Sequence, residues 1–164
     1  MTMTIKKNIA NILVKNDLVP MKFRWKKSVS GVGTLYKDIY YMLDKRGKQN
    51  LRKLMYKEGF EQAKDAIKTL EIDKGIKDCA LALMAAHRVW GIKSNIVKET
   101  DNEVIIHCTD CMWCKKKGWT PAVCASIEAF ESGLVEGINK KIKHFYTKRR
   151  SLGDKYCEMV LKVS

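Results

Sequence analysis

The sequence predicts an α+β domain in which helices pack on a small antiparallel sheet of four strands. Apolar residues recur three and four positions apart along much of the chain up to Gly91, which is the period of an amphipathic helix. After Gly91 the period changes to two in a pair of stretches, a further helical stretch follows, and two more strand-like stretches close the chain. This order of helices, hairpin, helix and hairpin favours an α+β domain.

Four helices are predicted from the spacing of apolar residues. They cover residues 35–43, 50–70, 74–90 and 121–138. Thr34 and Asp73 precede two of them as capping residues, and Pro121 stands in the first turn of the last one. In that helix Gly133 and Gly137 lie four residues apart, which indicates that another element packs closely there.

Residues 1–33 are predicted to form an N-terminal segment before a single domain at residues 34–164. Residues 5–15 have helical spacing and form a short helix or arm, residues 18–25 form an extended packing strip, and residues 28–33 form a loop. The glycines of this loop suggest a phosphate-binding loop, but the Gly-Lys-Ser/Thr ending and a preceding buried strand are missing. We therefore assign this loop no ligand.

Four strands are predicted where apolar and polar residues alternate or where β-branched residues follow a turn. They cover residues 92–99, 104–108, 142–149 and 156–163. The polar residues 100–103 and the Ser-Leu-Gly-Asp stretch at residues 151–154 are the turns of the two predicted hairpins.

The composition is that of one folded domain. The chain has 164 residues, of which 46% are hydrophobic and 30% are charged. No apolar run approaches the ~20 residues that span a bilayer, and Lys15, Asn16 and Asp17 interrupt the apolar residues near the start, so a signal-peptide core is missing. We expect a cytoplasmic protein, where clustered cysteines more often bind metal or act in catalysis than form disulfides.

The formal net charge of +14 is spread along the chain rather than concentrated in a tail. Such a surface attracts polyanions, so nucleic acid is one candidate partner. A solvated lysine-rich surface accounts for the same charge at least equally well. The charge alone therefore does not favour nucleic-acid binding.

Clustered cysteines are the strongest chemical signal in the sequence. Thiolates are soft metal ligands, and a spacing of two residues can place two sulfurs on one ion. An isolated cysteine is more often a small buried apolar residue, but a Cys-x-x-Cys-x-x-Cys run with two further cysteines favours a metal or cluster site. The candidate ligands are Cys108, Cys111, Cys114, Cys124 and Cys157.

Zinc is the favoured ion, and an iron–sulfur cluster is the alternative. The basic run at residues 115–117 and Arg149 would offset the negative charge of zinc-bound thiolates, and basic neighbours also lower thiol pKa values. The run has the spacing of the first three ligands of a bacterial ferredoxin, but Gly118 stands at the usual fourth position. Cys124 or Cys157 could still complete a cluster.

Several motifs in the second half of the chain have a family pattern when taken in order. They are Trp90-Gly91 at a helix end before a hairpin, Cys111-Met112-Trp113, Cys124 at the start of a helix with Gly133 and Gly137, and the closing Gly153-Asp154-Lys155-Tyr156-Cys157. With these motifs, residues 75–164 resemble the vinyl-4-reductase-type small-molecule-binding domain. They also resemble its relatives described as L-2-amino-thiazoline-4-carboxylic acid hydrolases.

The resemblance implies a fold like that of the vesicle-tethering TRAPP subunits, often as a dimer. Relatives that act as sensor domains of aromatic-responsive transcription regulators bind zinc beside a hydrophobic pocket. Cys124 and Cys157 match two of their zinc ligands, whereas Tyr146 and Arg149 stand at the other two positions. We infer that Cys111, with Cys108 or Cys114, supplies the missing sulfurs.

The favoured function is therefore binding or sensing of a small hydrophobic molecule next to a cysteine-rich metal site. The pocket is assigned to apolar-face residues of the third and fourth helices, which are Met84, His87, Trp90, Phe130 and Leu134. Such residues are more often plain core.

Two other functions stay open. One is a cysteine- or metal-dependent hydrolase of a cyclic amide or thiazoline, which needs a general base or a Cys/His pair. His107, His144 and Glu128 are available, but no spacing singles out a base. The other is an iron–sulfur or basic nucleic-acid-binding protein.

Overall fold

The computed structural model describes residues 18–164 together with Ile9, Leu13 and Lys15. Apart from those three residues, the helix or arm predicted at residues 5–15 lies outside the described part of the chain. The described elements are α1 (Met21–Met42), α2 (Lys45–Leu70), α3 (Ile76–Val89), β1 (Ile92–Glu99), β2 (Glu103–Cys111), α4 (Pro121–Ile138), β3 (Ile142–Lys148), a short 3-10 helix (Arg150–Leu152) and β4 (Cys157–Val163).

Helix α1 is much longer than predicted. It follows Pro20, so most of the predicted extended strip (18–25) and all of the predicted loop (28–33) are helical, and residues 33 and 34 lie in its middle. Those two predictions are wrong because packing outweighs the weak helix propensity of glycine. The indole ring of Trp113 lies against Gly33, where an added Cβ would overlap the ring.

Helices α2 and α3 begin at residues other than the predicted ones. Asp44 caps α2, and its carboxylate accepts a hydrogen bond from the backbone N–H of Gly47 at 2.7 Å. Helix α3 begins after Gly75, whose backbone N–H donates to Asp78 at 3.0 Å, while Asp73 lies before the helix. Several polar residues near each start are able to cap a helix, so the sequence pattern located the helices better than their ends.

The strands form one antiparallel sheet in the order β1-β2-β4-β3. β2 and β4 are the central strands, and their register places Cys108 opposite Cys157. β2 continues past its predicted end to Cys111, because this residue still pairs with Ile92 of β1. The predicted architecture of helices on a small four-stranded antiparallel sheet is confirmed.

Helix α4 lies at the centre of the helical layer. It packs against α3 and β3 and makes its most extensive contact with α2. The backbones of α2 and α4 approach closely at Gly59 and Gly133, because a Cβ on Gly133 would collide with the carbonyl oxygen of Tyr56 and a Cβ on Gly59 with that of Phe130. The close packing predicted from the α4 glycines is confirmed. No helix among the described residues is long and apolar enough to cross a membrane.

The α2–α4 contact makes Gly133 a sensitive position for stability. We expect Gly133→Ala to lower the free energy of unfolding by about 1–3 kcal/mol, because the added methyl group forces the two backbones apart. Urea unfolding followed by circular dichroism measures this change.

Gly31→Ala is the matched control, since Gly31 also lies inside a helix but has no atom near its missing Cβ. We expect this change to be neutral or to stabilise the protein by about 0.5–1 kcal/mol. Equal effects of the two substitutions would contradict the close approach at Gly133.

Candidate functional site

A partly open cavity of about 50 Å³ lies between the start of α4, the adjoining ends of the central strands and the turn that follows β2. We call it the cysteine cavity, because all five predicted metal ligands line it. The lining residues are Ile92, Cys108, Cys111, Trp113, Cys114, Trp119, Cys124, Ile127, Glu128, Glu131, Tyr146, Arg149, Ser151 and Cys157.

Four different parts of the fold bring the cysteines together. Strand pairing places Cys108 on β2 opposite Cys157 on β4, and Cys111 ends β2. Cys114 belongs to the turn after β2, and Cys124 lies in the first turn of α4. The sequence run therefore becomes one wall of the cavity, while Cys124 and Cys157 complete it from distant segments.

Three cysteines of the cavity wall, Cys114, Cys124 and Cys157, each have a hydrogen-bond partner. In its protonated form, the Cys114 thiol donates to the carbonyl oxygen of Cys111 at 3.4 Å. The indole N–H of Trp119 donates to Cys124 Sγ at 2.9 Å, and the backbone N–H of Arg150 donates to Cys157 Sγ at 3.3 Å. Among the described residues, no three His, Cys, Asp or Glu side chains are arranged to hold a metal ion.

The zinc site, like the iron–sulfur alternative, therefore stays a prediction. The positions that the family resemblance matches to zinc ligands do share this cavity, but two of them are Tyr146 and Arg149. The Arg149 guanidinium forms two hydrogen bonds with Glu128, of 2.7 and 2.9 Å. Neither Tyr146 nor Arg149 is a thiolate, so the predicted zinc site depends on Cys111, with Cys108 or Cys114, in their place.

The thiols of Cys111 and Cys114 have opposite acidities. A hydrogen bond from the Cys111 thiol and the positive charges of Arg150 and Lys115 lower the pKa of Cys114 to about 6. The same thiol–thiol hydrogen bond and burial raise the pKa of Cys111. Because Cys114 has the lower pKa of the two, it is the thiolate of the pair near neutral pH. Its side chain is also only partly buried.

The remaining cavity cysteines are held as neutral thiols by their surroundings. Burial raises the pKa of Cys157 to about 11. Burial and then the charge of Glu131 raise the pKa of Cys108, and burial raises that of Cys124. Cys114 is therefore the most reactive thiol of this cavity at neutral pH.

A buried polar network forms the inner end of the cavity. Glu131 of α4 is 1% exposed and accepts hydrogen bonds from Tyr146 Oη at 2.7 Å and from His87 Nε2 at 3.0 Å. In the neutral imidazole whose Nε2–H donates to the carboxylate, Nδ1 of His87 is an acceptor, and it lies 3.9 Å from Cys108 Sγ. The thiol of Cys108, the imidazole of His87 and the carboxylate of Glu131 are thus neighbours in a row, with the imidazole in the middle.

None of the five residues predicted to line the pocket lines the cysteine cavity. Met84, His87, Trp90, Phe130 and Leu134 lie in or against the main hydrophobic core, with His87 behind Cys108. Helical spacing identifies which face of a helix is buried, but it does not distinguish core from a cavity wall. The wall residues that sequence reasoning missed include Trp119, Ile127, Glu131 and Ser151; the only available signal was the charge of Glu131 within the apolar stripe of α4.

The fold is similar to that of solved structures of low sequence identity. A subunit 3 of the trafficking protein particle complex from Naegleria fowleri, covalently bound to palmitic acid, matches with a TM-score of 0.63 and 16% identity, over 87% of this chain and 96% of that one. The phenol-responsive sensory domain of the transcription activator PoxR, with phenol, matches with a TM-score of 0.60 and 15% identity, over 82% of this chain and 74% of that one.

No protein-family profile and no curated protein sequence matches this chain. The similarity to the two solved structures therefore establishes the fold, which is that of a TRAPP subunit as predicted.

Cys114 should react with iodoacetamide before the other cysteines at mildly acidic pH. We expect half-maximal alkylation near pH 6, since the folded-state pKa is about 6 and the thiolate is present above it. Cys111→Ser should move this midpoint, because it replaces the thiol that hydrogen-bonds to the Cys114 sulfur. Mass spectrometry of the alkylated peptides measures both midpoints.

Metal analysis of the same oxygen-free samples is the control. About one zinc per chain, lost in the Cys124→Ala, Cys157→Ala double variant and accompanied by slow alkylation of Cys114, would support the predicted zinc site. Brown protein with iron and sulfide would support a cluster. A metal-free protein whose Cys114 alkylates only above pH 8 would contradict the low pKa.

Proposed function

We propose that this chain binds a small apolar molecule in the cysteine cavity. The observation that carries the proposal is the cavity wall, which consists mainly of thiol, aromatic and aliphatic side chains. Water finds few partners in such a space, whereas an apolar ligand gains by leaving water. The similar fold of proteins described with palmitic acid and with phenol supports this proposal. We infer on the same basis that the chain is a distant member of the vinyl-4-reductase-type superfamily.

The size of the cavity requires the wall to move when a ligand enters. Its 50 Å³ compares with roughly 150 Å³ for an engineered cavity that holds benzene. A cleft of about 200 Å³ adjoins it and shares Glu128, Tyr146 and Arg149 as lining residues. We infer that displacement of the Arg149–Glu128 pair joins the two spaces into one pocket of ligand size.

Phenol is a suitable first probe, and Trp113 and Trp119 in the cavity wall provide a fluorescence signal. We expect saturable binding of one phenol per chain. Cys124→Met should weaken it by ~10-fold or more, because the longer side chain fills the space that the ligand needs. Fluorescence titration, checked by calorimetry, measures both affinities.

Ala122→Met is the matched control, because Ala122 lies on the same helix but is exposed and lines only an outer groove. We expect it to bind phenol like the wild type. Saturable binding that Cys124→Met leaves unchanged would place phenol elsewhere and contradict the proposal.

A cysteine-dependent hydrolase is the second candidate, and the Cys108–His87–Glu131 arrangement favours it. A nucleophile, a base and an orienting carboxylate are the parts that such chemistry needs. Burial raises the pKa of the Cys108 thiol, so attack requires His87 Nδ1 to accept the thiol proton as the bond to the substrate carbonyl forms. Glu131 would then stabilise the imidazolium.

Turnover of a cyclic amide or thiazoline tests this candidate. We expect Cys108→Ala to abolish turnover, because it removes the nucleophile, whereas Cys79→Ala leaves it intact, since Cys79 is buried in the core away from the cavity. Steady-state rates of product formation measure the effect. Equal rates in wild type and Cys108→Ala would exclude this nucleophile.

Two further partners from the sequence stay predictions. Outer grooves between α2 and α4 are lined by Lys45, Lys48, Arg52 and Lys53, and no acidic residue lines them. These grooves are the surface that would bind nucleic acid, a function that we do not favour.

A homodimer is supported by exposed apolar residues that recur along α1, namely Val32, Leu35, Ile39 and Met42.

A further inference from the structure

Two hydrogen-bond donors beside the cysteine cavity are buried without a nitrogen or oxygen acceptor. Among the described residues, Arg150 Nη1 has no hydrogen-bond partner and Ser151 Oγ has no nitrogen or oxygen acceptor, although the Ser151 hydroxyl interacts with Cys124 and lowers the pKa of that thiol. Ser151 lines the cavity, and the backbone N–H of Arg150 donates to Cys157 Sγ in the same wall. Buried polar groups without partners are rare in folded proteins because they lose their bonds to water. An acceptor supplied from outside the chain would account for both donors.

The charge of Arg150 is not neutralised by a hydrogen-bonded carboxylate. Its Nη1 lies 3.7 Å from Asp110 Oδ1, beyond hydrogen-bond distance, and the same oxygen is already paired with Lys115 at 2.7 Å. The neighbouring Arg149 differs, since Glu128 binds its guanidinium through two hydrogen bonds. Arg150 therefore has no close carboxylate partner among the described residues, and its positive charge acts at longer range on Asp110 and on the Cys114 thiolate.

The backbone around these donors is fixed before any ligand arrives. Residues Arg150–Leu152 form a 3-10 turn, and the backbone N–H of Arg149 donates to Asp154 Oδ2 at 2.7 Å. Gly153 closes the turn with a positive φ of 102°, a conformation that glycine adopts without strain. A donor pair on such a turn needs little ordering to receive a ligand.

We propose that the ligand of the cysteine cavity carries a carboxylate group, which Arg150 and Ser151 bind while the apolar remainder occupies the cavity. This inference rests on the proposed binding function and names the class of ligand, an apolar carboxylic acid. A carboxylate offers acceptor oxygens to both donors and a negative charge to Arg150, and such charge-assisted hydrogen bonds are stronger than neutral ones. A phenol offers one oxygen and no charge.

The two acidic side chains of the cavity wall are held away from this position, whereas the Cys114 thiolate also faces Arg150. Glu131 is held by His87 and Tyr146 at the inner end, and Glu128 is held by Arg149. A ligand carboxylate is repelled by both acidic side chains and by the Cys114 thiolate, and it is attracted by Arg150, whose unpaired Nη1 can donate to it. The orientation of the ligand follows, with its charged end at the turn and its apolar end toward Ile127 and the tryptophans.

Phenylacetate and phenylacetamide test this proposal, because they have the same shape and differ in charge. We expect the wild-type chain to bind phenylacetate at least ~10-fold more tightly than phenylacetamide, with an affinity that falls as salt increases. Arg150→Gln should remove this preference by weakening phenylacetate alone, and Ser151→Ala should weaken phenylacetate by ~3-fold. Calorimetric titration measures each affinity, and thermal unfolding verifies that each variant is folded.

Arg46→Gln is the control, because Arg46 is exposed on α2 and lines neither the cavity nor its cleft. It should leave both affinities unchanged. If Arg150→Gln does not fold, the preference of the wild type and its salt dependence still decide the matter.

The outcomes separate this inference from the function on which it rests. If phenol binds but phenylacetate and phenylacetamide bind equally well, the carboxylate proposal is wrong while the binding function stands, and water satisfies the two donors. Equal weakening of both compounds by Arg150→Gln would likewise overturn it, because Arg150 would then have only a structural role. If phenol also fails to bind, the binding function itself fails.

Discussion

The buried carboxylate of Glu131 is the group on which the arrangement of the cavity depends. An ionised group in the protein interior is tolerated only when hydrogen bonds and opposite charge replace the water that it has lost. Burial raises the pKa of Glu131, but His87, His144 and Tyr146 outweigh this effect, and the pKa is lowered overall. Because His87 belongs to α3 and Tyr146 to β3, satisfying Glu131 of α4 fixes the positions of three elements around the inner end of the cavity.

The outer side of the cavity depends on a different set of contacts, which connect α1 with the turn after β2. The indole N–H of Trp113 donates to the carbonyl oxygen of Val29 at 2.9 Å, and Lys116 Nζ donates to Ser30 and Thr34 of the same helix. Trp113 also packs between Trp90 and Trp119. Helix α1 thus holds in place the turn that carries Cys114, so the reactivity of this thiol and the closure of the cavity depend on the same contacts.

Among the described residues around the cavity, Glu131 and Arg149 form close pairs, whereas Arg150 has its opposite charges only at longer range. Glu131 and Arg149 each have close partners of opposite charge or matching hydrogen-bonding capacity, and they position the wall rather than attract a ligand. Arg150 approaches Asp110 only at 3.7 Å. Where most of the wall is sulfur and hydrocarbon, one cationic donor is enough to orient an apolar ligand, because electrostatic interactions are strong where water is scarce.

The sequence by itself determined the α+β class and the order of helices and strands, and it singled out the five cysteines that line one cavity, because these follow from local periodicity and from residue types that the chain shows directly. It located Gly133 as a point of close packing, but it did not find that Gly33 lies within α1, since the contact of Gly33 with Trp113 joins residues far apart in the chain.

The tertiary structure alone decided which residues share the cavity. Cys108 meets Cys157 through strand register, and Ser151 and Glu131 join the wall through a turn and a buried helix face. The predicted pocket residues lie instead in and against the core, because burial along a helix is a local property, whereas a cavity arises where elements from distant parts of the chain leave space between them.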